Sequence, residues 1–141
     1  MWTKVGRINM SVLSKSKRDK IYSKTSYRCS CCGSYQKLTV DHFIPKWTRI
    51  VGYDIDNLIP MCEDCQEKKG CNFIALNELR FLSQIQKHKL MQYYQTKAKY
   101  LKKYVSQFGE FRTDGLLDVD RAKMILRSYD VYVEYNITER K

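Results

Sequence analysis

The sequence contains no run of eighteen apolar residues, and it has only two prolines and six glycines among its 141 residues. The lack of a long apolar run excludes a membrane-spanning helix. The low proline and glycine content, together with 43% hydrophobic residues, excludes a collagen-like, low-complexity or disordered chain. The N-terminal residues show no apolar segment typical of a secretory signal. We therefore expect a cytoplasmic, folded protein without a membrane partner.

Acidic residues are also scarce, with 15 Asp and Glu against 26 Lys and Arg, which gives a net charge of +11. The excess lies in two blocks: residues 1–28 hold eight basic residues and one acid, and residues 87–108 hold six lysines and no acid. Such segregation favours DNA or another polyanion as the partner, and a protein with an acidic face is the alternative. The residues expected to contact the partner are Lys15, Lys17, Arg18, Lys20, Lys24, Lys69, Lys97, Lys99, Lys102 and Lys103.

Four of the six cysteines form two pairs of the same spacing, Cys29-x-x-Cys32 and Cys62-x-x-Cys65. Zinc prefers four soft ligands in a tetrahedron, and two such pairs supply them. In a cytoplasmic chain this pattern predicts a structural Zn²⁺ ion rather than disulfides, with buried free cysteines as the alternative. Cys31 is a possible substitute for one of its neighbours in the site.

The region of the cysteine pairs has the pattern of a small α+β unit. A polar helix is expected over residues 14–27, a strand over 37–44 and a short extended segment over 57–61. A brief helix over 63–69 carries acids in its first turn and lysines in its last, and Gly70 supplies its end.

The remainder of the chain has a helical pattern. Residues 75–108 contain no proline or glycine and predict one long helix, or two in line. A second helix is expected over about 118–128, followed by a strand over 129–137, where apolar residues alternate. We therefore expect an α+β fold in two parts. Residues 1–72 form a zinc module with a basic lead-in, and residues 73–141 form a helix and a helix-strand extension packed on it.

The insert between the cysteine pairs reads Asp41-His42-x-Ile44-Pro45, then Asn57-Leu58. With the cysteines around it, this pattern resembles the HNH, or ββα-metal, endonuclease family over residues 16–70. The positions that match the family pattern are Cys29, Cys32, Leu38, Asp41, His42, Ile44, Pro45, Asn57, Leu58, Cys62, Cys65, Lys69 and Gly70.

The resemblance implies hydrolysis of DNA phosphodiester bonds. His42 would be the general base, and Asn57 would tie down the loop and help to orient it. Asp41 and Gln66 would bind a catalytic Mg²⁺ or Mn²⁺ ion. The family usually has His or Asn at the position of Gln66, so this residue departs from the pattern.

That departure leaves a second interpretation open. The segment could be a catalytically inert, zinc-stapled scaffold derived from a nuclease, and the chain a binding protein or inhibitor. A concrete version is a phage anti-restriction or anti-CRISPR protein that docks on a nucleic-acid-binding nuclease in the host cytoplasm.

Overall fold

The computed structural model describes residues 13–111 and 119–139, with side chains at 13–106 and 119–136. Its helices and strands are, in chain order, α1 (Lys15–Tyr22), β1 (Leu38–His42), β2 (Leu58–Cys62), α2 (Glu63–Lys69), α3 (Gln84–Phe111) and α4 (Val119–Glu139). The predicted α+β class is confirmed, because a two-stranded sheet is combined with a long helix and a C-terminal helix. No helix within the described ranges has the length and apolarity needed to cross a membrane.

The two strands form an antiparallel pair with a fixed register. Leu38 at the start of β1 pairs with Cys62 at the end of β2, and His42 pairs with Leu58. The loop over 43–57 therefore closes at the end of the sheet that carries His42. Pro60 lies within β2, which a two-stranded sheet permits because the strand has an open edge.

Helix α2 follows β2 directly and has the bounds that the sequence predicts. Glu63 and Asp64 occupy its first turn, and Lys68 and Lys69 occupy its last, as the helix dipole favours. Gly70 ends it with a φ of 60°, a left-handed value that glycine adopts without strain. The last residue of the helix, Lys69, thereby lies next to Asp41 of β1.

The start of the long helix differs from the prediction. Residues 76–78 form a short 3-10 turn, and α3 begins only at Gln84. The reason is a cap at Ser83, whose hydroxyl oxygen accepts a hydrogen bond from the backbone N–H of Gln86 at 3.1 Å. The absence of proline and glycine before this residue was therefore not enough to extend the helix.

The strand predicted over 129–137 is wrong, because this segment belongs to helix α4. Tyr129 is fully buried, whereas Val131 and Tyr135, which would share its face in a strand, are 61% and 63% exposed. The buried positions instead follow a helical spacing, and they are Ala122, Ile125, Leu126 and Tyr129. Helical burial against α3 thus overrides the strand preference of the aromatic and β-branched residues.

One buried cluster joins the sheet region to the two C-terminal helices. The ring of Tyr129 lies 5.1 Å from that of Phe43, next to β1, and 5.2 Å from that of Tyr94 on α3. The Tyr129 hydroxyl donates a hydrogen bond to the carbonyl oxygen of Ile74, and the Tyr94 hydroxyl donates to Asp130 at 2.7 Å. These contacts place α3 and α4 against the region of the cysteine pairs. The division of the chain near residue 72 stays a prediction.

Candidate metal centre and active site

The four paired cysteines lie together in space. The Sγ atoms of Cys29, Cys32, Cys62 and Cys65 are all within 4.8 Å of one another, and those of Cys32 and Cys62 are 3.6 Å apart. A tetrahedral Zn²⁺ with Zn–S bonds of about 2.3 Å holds its sulfurs about 3.8 Å apart. The cluster therefore has the ligand set and the dimensions of a structural zinc site.

Local backbone structure shapes both cysteine pairs. The N–H of Cys31 lies 3.4 Å from the sulfur of Cys29, and the N–H of Cys65 lies 3.5 Å from the sulfur of Cys62. Gly33 closes the first turn by donating its N–H to the Cys29 carbonyl oxygen at 3.0 Å, with a φ of 79°. Glycine is favoured there because other residues rarely adopt such a conformation.

The electrostatics of the cluster also favour a cation. A hydrogen bond from the Cys31 thiol lowers the pKa of Cys29 to about 3, whereas burial raises the pKa of Cys62 and Cys65. Thiols this close cannot all ionise alone, because each thiolate raises the pKa of the next. A divalent metal removes this conflict, since it stabilises all of the thiolates together. The residues present thus fit the predicted structural zinc.

Asp41 and His42 end β1, and both are only 1% exposed. One carboxylate oxygen of Asp41, Oδ1, accepts the backbone N–H of His42 at 2.8 Å. The other, Oδ2, lies 3.2 Å from the Nζ atom of Lys69 on α2, whose side chain is 3% exposed. Asp41 is therefore one half of a buried ion pair.

The imidazole of His42 is held by the loop that follows β1. Its Nε2 atom lies 3.2 Å from the carbonyl oxygen of Gly52, and its ring centroid lies 5.9 Å from that of Tyr53. Because a carbonyl oxygen only accepts hydrogen bonds, this contact assigns the proton of the neutral ring to Nε2. Nδ1 is then the basic nitrogen of the ring.

Asn57 is fully buried and binds the chain just after His42. Its side-chain oxygen accepts the N–H of Ile44 at 2.8 Å, and its amide nitrogen donates to the carbonyl oxygen of Ile44 at 3.1 Å. Its own carbonyl oxygen accepts the N–H of Phe43 at 2.8 Å. These three bonds tie the start of the loop to its end.

Gln66 contacts β1 at Thr39, three residues before His42. Its amide oxygen lies 2.9 Å from the hydroxyl oxygen of Thr39, which is also 2.9 Å from the carbonyl oxygen of Met61. The side chain is 3% exposed, so the Thr39 contact lies inside the protein. The oxygen that would bind a cation is therefore in contact with a hydroxyl group of β1.

A cavity of about 330 Å³ lies beside Asp41 and His42. Its lining residues are Asp41, His42, Pro45, Lys46, Trp47, Arg49, Lys69 and Cys71. Lys46 and Arg49 add positive charge beyond that of the Lys69–Asp41 pair, so the cavity favours an anionic group next to the imidazole. Asn57 and Gln66 do not line it.

The sequence reasoning missed Lys46 and Arg49 as candidate site residues. A signal was present, since they are the only basic residues in the loop over 43–57 and they follow the Asp-His pair closely. They were missed because the basic candidates, apart from Lys69, came from the two blocks of excess positive charge, and this part of the chain is near neutral.

The two basic blocks of the sequence meet at a second cavity, of about 190 Å³. Lys20 and Lys24 line it from the first block, and Lys89 lines it from α3, with Asp56 as an acidic neighbour. The Nζ atom of Lys24 donates to the carbonyl oxygens of Ile55 and Leu58, and burial lowers the pKa of this lysine to about 8. The structure therefore gathers charges that lie far apart in the sequence.

The other predicted contact residues have mixed surroundings. The exposed ones are Lys15, Lys17, Lys99, Lys102 and Lys103. Lys102, although exposed, pairs with Asp130 of α4 at 2.9 Å. Arg18 donates to the Leu13 carbonyl oxygen at 2.9 Å, and the Nζ atom of Lys97 lies 5.7 Å from the centre of the Tyr93 ring.

The fold and the cysteine cluster define this segment as a unit of two strands and one helix, with four cysteines placed to hold a structural zinc ion. Residues 29–71 match the family model described as HNH endonuclease. The match covers less than half of the chain, and it contains both cysteine pairs and the Asp41–His42 pair. The resemblance to this family is thus confirmed for the segment. No curated protein and no solved structure matches the chain significantly.

Proposed function

We propose that the chain is a metal-dependent DNA endonuclease of the HNH type, with His42 as the general base. The observation that carries the proposal is the cavity that Asp41 and His42 share with Lys46, Arg49 and Lys69. Phosphodiester hydrolysis needs a base beside the attacked phosphate and positive charge for its oxygens, and this cavity offers both. The family match over 29–71 supports the same reaction.

In this proposal Nδ1 of His42 accepts the proton of the attacking water. The Gly52 carbonyl oxygen, 3.2 Å from Nε2, keeps the ring in the required tautomer and stabilises the imidazolium that forms. Asn57 is a positioning residue, because its bonds to Ile44 fix the chain next to the base. A base in this role contributes about 10²- to 10⁴-fold to the rate.

Asp41 and Gln66 are the proposed holders of Mg²⁺ or Mn²⁺. Carboxylate and amide oxygens are the hard donors that these ions prefer, and Asp41 lines the cavity. When bound, the ion would supply Lewis-acid stabilisation of charge on the phosphate. Each of the two side chains must first exchange a partner, since Asp41 pairs with Lys69 and Gln66 contacts Thr39.

The direct test of the proposal is the nicking of supercoiled plasmid by the zinc-loaded chain. We expect open-circular DNA with added Mg²⁺ or Mn²⁺ and none without an added cation. Added cation is the variable, since a chelator would also attack the cysteine site. Intact plasmid in every condition, with folded and zinc-loaded protein, would contradict the endonuclease proposal.

The cavity lined by Lys20, Lys24 and Lys89 is the proposed contact with the DNA backbone. We expect the double variant Lys20→Glu/Lys89→Glu to bind duplex DNA about tenfold more weakly at low salt, whatever the sequence. When a phosphate contact is lost, DNA binding releases fewer counterions. The magnitude of the slope of log affinity against log salt should therefore fall by about 1 per lysine. Fluorescence anisotropy at several salt concentrations measures both quantities.

The control is Lys37→Glu/Lys123→Glu, which makes the same charge change at two exposed lysines outside this cavity. We expect it to keep most of the affinity and the salt slope. Equal losses in the two double variants would mean that only net charge matters. The cavity would then not be a DNA contact.

The engagement of Gln66 with Thr39 favours one second candidate, the inert scaffold. The amide oxygen of Gln66 and the carboxylate of Asp41 both have protein partners. This is the arrangement expected in a non-catalytic relative, which has no metal to bind. The two basic blocks of the chain would then bind a host nucleic-acid-binding protein or nuclease, as an anti-defence protein does. The plasmid test separates the two candidates, because an inert scaffold would leave the plasmid DNA intact.

A further inference from the structure

The buried pair of Lys69 and Asp41 has a consequence for how the proposed active site binds metal. The Nζ–Oδ2 distance is 3.2 Å, and the two side chains are 3% and 1% exposed. Both residues also line the cavity that contains His42. An ammonium group thus already lies against the carboxylate oxygen that the proposed function assigns to a divalent ion.

We propose that Lys69 is an internal cation that competes with divalent metal for Asp41, and that it sets the metal affinity of the site. The proposal rests on the proposed function, because that function makes Asp41 a metal ligand. A buried carboxylate needs a positive partner, and here the ammonium meets that need. A divalent ion binds only when Lys69 is displaced.

The surroundings of Lys69 give the displaced ammonium a place to go. Its side chain lines the His42 cavity and also another cavity of about 330 Å³ beside the cysteine cluster, whose other charged lining residues are Lys68, Glu78, Arg80 and Arg121. The long side chain can turn between these spaces while its stem stays packed.

The test is direct binding of Mn²⁺ alone, measured by electron paramagnetic resonance of the free ion, to the zinc-loaded full chain without DNA. We expect Lys69→Met to bind Mn²⁺ at least tenfold more tightly than wild type. Mn²⁺ should also raise the melting temperature of Lys69→Met more than that of wild type, since the ion replaces the lost partner of Asp41.

Two variants control for charge and for the site. Lys68→Met removes the neighbouring exposed lysine and should leave the Mn²⁺ affinity at the wild-type value. The double variant Asp41→Asn/Lys69→Met should lose the gain, because the carboxylate is gone. If Lys69→Met does not fold, Lys69→Gln, which keeps a hydrogen-bond donor beside Asp41, should show the same tenfold gain.

Equal Mn²⁺ affinity in wild type and in the folded Lys69 variant would overturn the inference, as would a gain that persists without Asp41. This outcome is distinct from failure of the proposed function. Mn²⁺ binding is measured without substrate, whereas the endonuclease proposal fails only if wild type leaves plasmid intact.

Discussion

Cys62→Ser is expected to lose its zinc and to unfold the segment around the sheet. Cys62 is 5% exposed, ends β2 and begins α2, and its sulfur lies among those of the other three ligands. Structural zinc contributes on the order of 10 kcal/mol to small modules, which approaches or exceeds the whole stability of a domain of this size. Metal analysis, circular dichroism and thermal melting of the purified chain measure the loss.

Cys71→Ser is the matched control, because it makes the same substitution at a cysteine outside the cluster. The hydrogen bond that Trp47 donates at residue 71 goes to the backbone carbonyl oxygen, so it survives the change. We expect one zinc per chain and a melting temperature near that of wild type. A folded Cys62→Ser protein with full zinc content would contradict the assignment of the site.

Asp41→Asn is expected to lower the free energy of unfolding by about 3 kcal/mol. The new amide oxygen can still accept the N–H of His42, but the ammonium of Lys69 remains buried without its charged partner. Breaking one side of a buried ion pair costs about 3–5 kcal/mol, and the cavity beside Lys69 allows some relaxation. Denaturant unfolding of the zinc-loaded protein measures this change.

Asp64→Asn provides the comparison on α2, where the aspartate is exposed in the first turn. An exposed carboxylate there stabilises the helix by less than about 1 kcal/mol. Similar losses in the two variants would show that the pair with Lys69 adds little to stability. The buried geometry would then not govern the energetics of the site.

The spacing of residues in the chain was sufficient to predict the two strands, the short helix and the four-cysteine cluster. The two cysteine pairs, the strand that ends at Asp41 and His42, and the helix that Gly70 ends are all encoded over short distances. These elements can be predicted because each turn, strand or cap is determined mainly by residues close to it in the sequence. The placement of the four thiols followed from them.

Other features depend on contacts that a single sequence does not reveal. The pairing of Lys69 with Asp41 requires α2 to pack against β1, and the meeting of Lys20 with Lys89 requires α1 and α3 to line the same cavity. The strand predicted near Tyr129 failed for the same reason. Its alternating apolar residues fit a strand locally, whereas burial of one helical face against Phe43 and Tyr94 decides the outcome.

The measurement that tests the central claim most directly is the rate of plasmid nicking in Mn²⁺ by wild type and by His42→Ala. His88→Ala serves as control, because His88 is on α3 and does not line the His42 cavity. With zinc content and circular dichroism matched, we expect His42→Ala to be at least about 100-fold slower than wild type. His88→Ala should cleave at the wild-type rate. Equal rates for wild type and His42→Ala would contradict the assignment of His42 as the base.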